Sequence, residues 1–260
     1  MKKRFLLSLI LIMAIFTIPM TASAEGWGYK RSNGETPPDV GRYGPLLQKH
    51  GGFYIDPSGD KEIYLTFDNG YEKGYTGKIL DVLKEKNVPA AFFVTGHYIK
   101  SAPELVQRMA REGHILGNHS WHHPDFTTVS KSRMKEELGK VEKAVAKITD
   151  QDEMMYLRPP RGTFNEQTLK WSNELGYVSA FWSIAFVDWN TNRQKGWEYA
   201  YKNVMKQIHP GAVILLHSVS EDNAIALEHM IDDLRKEGYT FKSLDHLMMK
   251  KLLPESVYWY

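Results

Sequence analysis

The sequence predicts an α/β fold in which about seven strand–helix units wrap a parallel sheet into a barrel-like form. Three observations carry that expectation. Short apolar runs alternate with amphipathic stretches from Glu62 onward, the pattern of βαβ units. Ala212 to Leu216 (AVILL) is continuously apolar, as a strand buried on both faces must be. No Gly-x-Gly-x-x-Gly follows a strand, which favours a closed sheet over a dinucleotide-binding one.

Ile63 to Phe67 reads as the first strand, and Tyr75 to Lys86 as a helix ending before Pro89. Ala90 to Val94 is the next strand. Pro103 opens a helix to Arg111 that Gly113 stops, and His114 to Gly117 is a short strand. Met134, Leu138, Val141, Val145 and Ile148 recur at helical spacing, so Ser130 to Ile148 is a helix capped by Ser130. Tyr156-Leu157 leads into RPPRG; Asn165 to Leu175 is helical before Gly176, and Val178 to Ile184 is a strand with aromatic residues. Gly196 to Ile208 is a helix stopped by His209-Pro210-Gly211. After AVILL come a helix (Ala224 to Lys236), a last strand (Tyr239 to Phe241) and a last helix (Ser243 to Lys251).

Residues 1–24 carry the features of a secretory signal: Lys2, Lys3 and Arg4, an apolar stretch from Phe5 to Met20, then Ala22-Ser23-Ala24. The stretch is short of the roughly 20 residues of a membrane span. Cleavage after Ala24 is expected, with retention as an anchor the alternative, so the protein is expected to be exported and to work outside the cytoplasm. Of 33 basic and 31 acidic residues, this segment holds three basic and none acidic, leaving a net charge of −1 beyond it. That balance makes no case for a nucleic-acid partner. The chain has no Cys, which limits any metal site to His, carboxylate, amide and water ligands. Residues 25–60, rich in Gly, Pro, Tyr and Trp, read as an irregular extension packed over a single domain at 61–260.

Chemistry-bearing residues gather at strand ends. His119 and His123, in NHSWHH, are spaced to share one helical face and hence one metal ion, although such a pair also arises by accident. His122 points away from that face and suits a surface or supporting role. Asp68 ends a strand in TFDNG, where it could take a proton from water; Asn69-Gly70 is equally a turn signal. Asn69 could offer an amide oxygen as a third, neutral ligand. In RPPRG, Arg158 could grip a carboxylate through two nitrogens while backbone N–H groups near Arg161 face a substrate carbonyl. His217 ends AVILL and is placed to act as a general acid, with Asp188 to orient its ring. Trp182, Trp189 and Phe164 suit the core better than a sugar platform unless they are exposed beside a cleft.

The ordered set TFDNG, HSWHH, RPP, Asp188-Trp189 and Leu215-Leu216-His217 resembles the polysaccharide deacetylase family, that is, the NodB homology domain or carbohydrate esterase family 4. The resemblance covers roughly residues 60–250. It implies a distorted (β/α) barrel and hydrolysis of an N-acetyl group from a glycan amino sugar. It also implies Asp68 as catalytic base, Arg158 as the residue orienting it, His217 as catalytic acid supported by Asp188, and His119 and His123 as ligands of a divalent ion (zinc, manganese or magnesium). Pro160, Arg161, Gly162, Trp189 and Leu215 fall at substrate-binding positions. Two departures matter. Asn69 replaces the family's metal-binding aspartate, so a weakly held ion is expected. Arg161 replaces an aromatic residue and adds a cation suited to the lactyl carboxylate of N-acetylmuramic acid. These departures are similar to those of the peptidoglycan N-acetylmuramic acid deacetylases that lead to muramic δ-lactam in spore cortex. The expected partner is therefore the peptidoglycan glycan strand, the expected state a monomer with no membrane contact once the signal is removed. A glycan-binding protein without activity, an N-acetylglucosamine deacetylase and a glycoside hydrolase using Asp68 and Asp188 are the competing readings.

Overall fold

The computed structural model describes residues 23–31 and 34–252. The expected signal segment therefore lies almost wholly outside the described residues. Nine strands are described: β1 (Glu25–Gly26), β2 (Glu62–Asn69), β3 (Ala90–Val94), β4 (Ile115–Asn118), β5 (Tyr156–Leu157), β6 (Thr163–Phe164), β7 (Val178–Ser179), β8 (Ala212–His217) and β9 (Thr240–Phe241). The described α-helices are α1 (Tyr43–Lys49), α2 (Thr76–Glu85), α3 (Gly96–Ser101), α4 (Pro103–Arg111), α5 (Lys131–Ile148), α6 (Glu166–Glu174), α7 (Trp197–Met205), α8 (Glu221–Lys236) and α9 (Leu244–Leu252).

Seven strands form one parallel sheet in the order β7-β5-β4-β3-β2-β8, with β9 beside the start of β2. The curled sheet is closed by irregular chain. Ile184 bridges to Ile214 on β8, while Phe53 and Ile55 bridge to Ala180 and Ala212. Two expectations are corrected here. Val178 to Ile184 is regular only over Val178–Ser179; beyond it the chain crosses to the β8 side, and the Ala180 carbonyl is taken by the Arg158 side chain. Residues 25–60 are not wholly irregular, because they contain β1 and α1 and help to close the sheet.

The pleat sorts each strand into two faces. On β2, Ile63, Leu65 and Phe67 join the outer core with α2, α4, α7 and α8, and Phe67 stacks on Phe92 of β3 with ring centres 5.0 Å apart. Tyr64, Ala91, Phe93, Tyr156 and Val213 face inward and meet Leu244 and Leu247 of α9. By the same alternation Thr66 and Asp68 lie on the Tyr64 face, and Leu215 and His217 on the Val213 face. At the start of β2 a lysine of α9 anchors that helix. Lys250 Nζ reaches Asp56 Oδ2 (2.8 Å), Ser58 Oγ (2.8 Å), Asp60 Oδ2 (2.7 Å) and Glu62 Oε2 (2.9 Å). Burial works against this ammonium, but its oxygen partners hold it protonated well above the usual lysine range.

Candidate active site

Parallel strands end together, so β2, β3, β4 and β8 deliver their carboxyl-terminal residues to one rim. A cleft of about 780 Å³ opens there, lined by Asp68, His119, His123, Arg161, Gly162, Trp182, Trp189, Leu215 and His217 among others. Asp68 and His217 are direct neighbours in register across β2 and β8.

Asp68 is buried against Arg158, whose Nη1 donates to Asp68 Oδ1 at 2.9 Å. The two-nitrogen grip expected from RPPRG is not formed. The other nitrogens of Arg158 donate to Thr66 Oγ1 (3.0 Å) and Ala180 O (2.6 Å), and the guanidinium lies 4.3 Å from the Phe93 ring centre. Saturated in this way, Arg158 is a fixed cation that leaves Asp68 Oδ2 free toward His119 Nε2, 3.6 Å away. Burial pushes the Asp68 carboxyl up, but Arg158 and the neighbouring histidines outweigh it and hold the group below the usual aspartate range. Asp68 is thus ionised at neutral pH.

His217 has the opposite balance. Its Nδ1 sits 2.7 Å from Asp188 Oδ1, and its backbone N–H donates to Asp188 Oδ2 at 2.7 Å. Asn223 Nδ2, in the first turn of α8, also donates to Asp188 Oδ2, at 2.6 Å. Burial lowers the His217 pKa, yet Asp188, helped by Asp68, raises it above the ordinary histidine value. With Nδ1 committed to Asp188, the proton available to a substrate is on Nε2.

His119 and His123 do meet, with their Nε2 atoms 3.2 Å apart, but not on a helix as their spacing suggested. The chain turns through positive φ at Ser120 (65°) and His123 (57°), and Ser120 Oγ accepts the His123 N–H at 2.9 Å. Glu137, fully buried on α5, holds this loop by accepting from the His122 N–H (2.7 Å) and facing the His122 ring nitrogen Nδ1 (2.8 Å). His122 therefore supports the loop. The Arg158 carbonyl lies 2.8 Å from His119 Nδ1; a carbonyl only accepts, so the proton is on Nδ1 and the lone pair on Nε2. Burial lowers both pKa values, that of His123 to about 4, so both rings are neutral.

Two neutral imidazoles whose Nε2 atoms converge fit a divalent cation. Asn69 is fully buried; its Nδ2 donates to Ser218 Oγ at 2.7 Å, and its Oδ1 has no partner among the described residues. An orphaned amide oxygen is a suitable, if uncharged, further donor. No three His, Cys, Asp or Glu side chains among the described residues converge to hold a metal, so the donor set is poor in charge.

Pro160 and Gly162 flank Arg161 in a single 3₁₀ turn that departs from helical geometry at Arg161, where φ is 59°. This left-handed conformation costs a non-glycine residue on the order of 1 kcal/mol. Its N–H meets no acceptor among the described residues, and its side chain is exposed at the cleft. Gly162 is also left-handed (φ 63°), and a Cβ there would stand 2.7 Å from the Trp182 ring. Trp189 is half exposed with its ring centre 5.5 Å from that of His217, whereas Phe164 is core. Thr66, Glu137 and Asn223 were not singled out from the sequence. Thr66, two residues before Asp68 on the same strand face, was open to that inference; the other two act from distant helices and left no local signal.

The polysaccharide deacetylase family model matches residues 56–180. The chain is 55% identical over 226 residues, 86% of each chain, to the peptidoglycan-N-acetylmuramic acid deacetylase PdaA of Bacillus subtilis. The solved structure of that protein, a family 4 carbohydrate esterase, superposes with a TM-score of 0.86 over 88% of this chain and 98% of its own. A family 4 carbohydrate esterase from Bacillus anthracis is 53% identical with a TM-score of 0.72, over 85% of this chain and 99% of its own. A peptidoglycan-N-acetylglucosamine deacetylase of Bacillus cereus is 32% identical over 79% of this chain and 76% of its own. With the distorted barrel and the ordered strand-end residues already in place, these matches establish that the chain belongs to the polysaccharide deacetylase family.

Proposed function

We propose that the protein hydrolyses the N-acetyl group of N-acetylmuramic acid in peptidoglycan, on glycan lacking the stem peptide, as a step toward muramic δ-lactam in spore cortex. The observation that carries the reading is the opposed bias of two neighbours in one cleft: Arg158 keeps Asp68 ionised, while Asp188 raises the His217 pKa above the ordinary histidine value and so favours its protonated form. A protein that only bound glycan would need neither. The 55% identity to the B. subtilis N-acetylmuramic acid deacetylase supports the sugar assignment over N-acetylglucosamine.

Asp68 Oδ2 takes the proton of the attacking water, while Arg158 keeps the carboxylate charged and aimed. The oxygen of the acetyl group gathers negative charge and is met by the free Arg161 N–H. His217 gives its Nε2 proton to the departing amine, and Asp188 stabilises the imidazolium until then. His119 and His123 would hold a divalent ion, with Asn69 as a neutral third donor; when bound, such an ion polarises the acetyl carbonyl. The Arg161 guanidinium faces the lactyl carboxylate, Trp189 and Leu215 border the sugar, and Pro160 and Gly162 shape the turn.

The protein acts outside the cytoplasmic membrane as a monomer, exported by residues 1–24. No described helix is long and apolar enough to cross a membrane. Mass analysis of glycan strands treated with the protein tests the reading: each attacked muramic acid should lose one acetyl group and release acetate. New reducing ends without acetate, or acetyl loss confined to N-acetylglucosamine, would overturn it.

A further inference from the structure

We propose that residues 25–31 are a strap that sets the geometry of the Arg161 turn, with Trp27 as its positioning residue. The inference deepens the proposed deacetylation and rests on it only for the catalytic consequence. The turn places two successive residues, Arg161 and Gly162, in left-handed conformations, so something outside it must hold it. Its own hydrogen bonds are few: the Gly162 N–H donates to Pro159 O at 3.0 Å, and the Thr163 N–H and hydroxyl donate to Pro160 O. Asp125 Oδ1 accepts from the Thr163 hydroxyl at 3.0 Å, and the strap adds the contacts at Gly162. The Trp27 N–H donates to Gly162 O at 2.8 Å, and Trp27 Nε1 donates to Trp182 O at 2.9 Å. Next to it, Glu25 and Gly26 pair with Phe164 and Thr163 as an antiparallel ladder.

The Trp27 ring completes the clamp. It lies 4.6 Å from the Phe181 ring centre and 6.4 Å from that of Trp182, the indole that covers Gly162 from the cleft side. Gly162 is thus enclosed between two tryptophans, one from the strap and one from the cleft wall. Farther along, the Tyr29 hydroxyl accepts the Ala185 N–H at 2.8 Å, tying the strap to the chain leading to Asp188. An arginine N–H that must face one oxygen of a reacting acyl group is thereby fixed from behind by a segment that does not line the cleft.

Trp27→Ala and Trp27→Phe in the full chain test this, with hydrogen–deuterium exchange and kinetics on the folded protein. Exchange at residues 161–164 should rise in Trp27→Ala, and in part in Trp27→Phe, which keeps a ring but loses the Nε1 bond and part of the indole's packing. Exchange at residues 66–69 should not change. The kcat of Trp27→Ala should fall about 10- to 100-fold, as for a displacement of about an ångström, with the pH profile unmoved because Asp68 and His217 keep their partners. Unchanged exchange across 161–164 in Trp27→Phe and in any folded Trp27→Ala, or a lower melting temperature with unaltered kcat, would overturn the strap. Absence of acetate release by the unsubstituted chain would overturn the deacetylase reading alone, since the exchange result decides the strap without substrate.

Discussion

Asp68 lines the cleft and Asp188 lies behind His217; both are buried carboxylates paired with a basic side chain, and the proposed mechanism gives them opposite ends of the reaction. The partner makes the difference. Arg158 cannot give up a proton, so its charge leaves Asp68 as a permanent acceptor. His217 can release one, so Asp188 stores an acid beside it. The surroundings agree with each role: Arg158 is fully buried with every branch of its guanidinium occupied, while His217 keeps Nε2 toward the cleft.

The largest break in this pairing is Asp68→Asn, which removes the acceptor and leaves Arg158 buried without its counter-charge. Acetate release should fall by about 10²–10⁴-fold, the usual worth of a general base, at every pH tested. Asp188→Asn should cost less but change the pH profile. The proposed mechanism requires Asp68 ionised and His217 protonated, so activity should rise from below the ordinary aspartate value of about 3.9 and fall above the ordinary histidine value of about 6.5. Removing the charge that raises the His217 pKa moves the falling limb to lower pH, while the rising limb stays within the base half. A falling limb unmoved in Asp188→Asn would show that His217 is not the acid. The smallest effect is expected from Asn69→Asp, which adds a carboxylate beside Asp68. Calorimetric zinc titration should show tighter binding by about tenfold, on the scale of outer-shell tuning; equal affinity would remove Asn69 from the metal site.

Much of this was legible in the sequence, for identifiable reasons. AVILL and AAFFV are short apolar runs bounded by breakers, and both became strands at the expected positions. Ser130 capped its helix as expected, accepting from the Arg133 N–H. Asp68 and His217 were each legible as strand-end residues, but that they are neighbours follows only from the register of β2 with β8. Helix α3 was missed because Gly96–Ser101 is too short to show a period; its start is marked only by the Thr95 cap. The histidine pair was found through an i,i+4 spacing whose helical rationale was wrong, since the loop relies on left-handed residues and on Glu137 from α5. Trp27 was invisible for a related reason. Its meaning lies in partners 135 and 155 positions away, beyond any local pattern.

The Lys250 anchor has a consequence for the order of events as the chain is made. Its oxygen partners on Asp56, Asp60 and Glu62 lie 194, 190 and 188 positions earlier. Until the last helix docks, Asp56, Asp60 and Glu62 lack the ammonium that touches all three; Lys61, their neighbour in sequence, is turned to Glu35 instead. Closing so long a loop is slow. A chain stopped short of Lys250 would lose the cation that ties α9 to all three of these carboxylates at the start of β2.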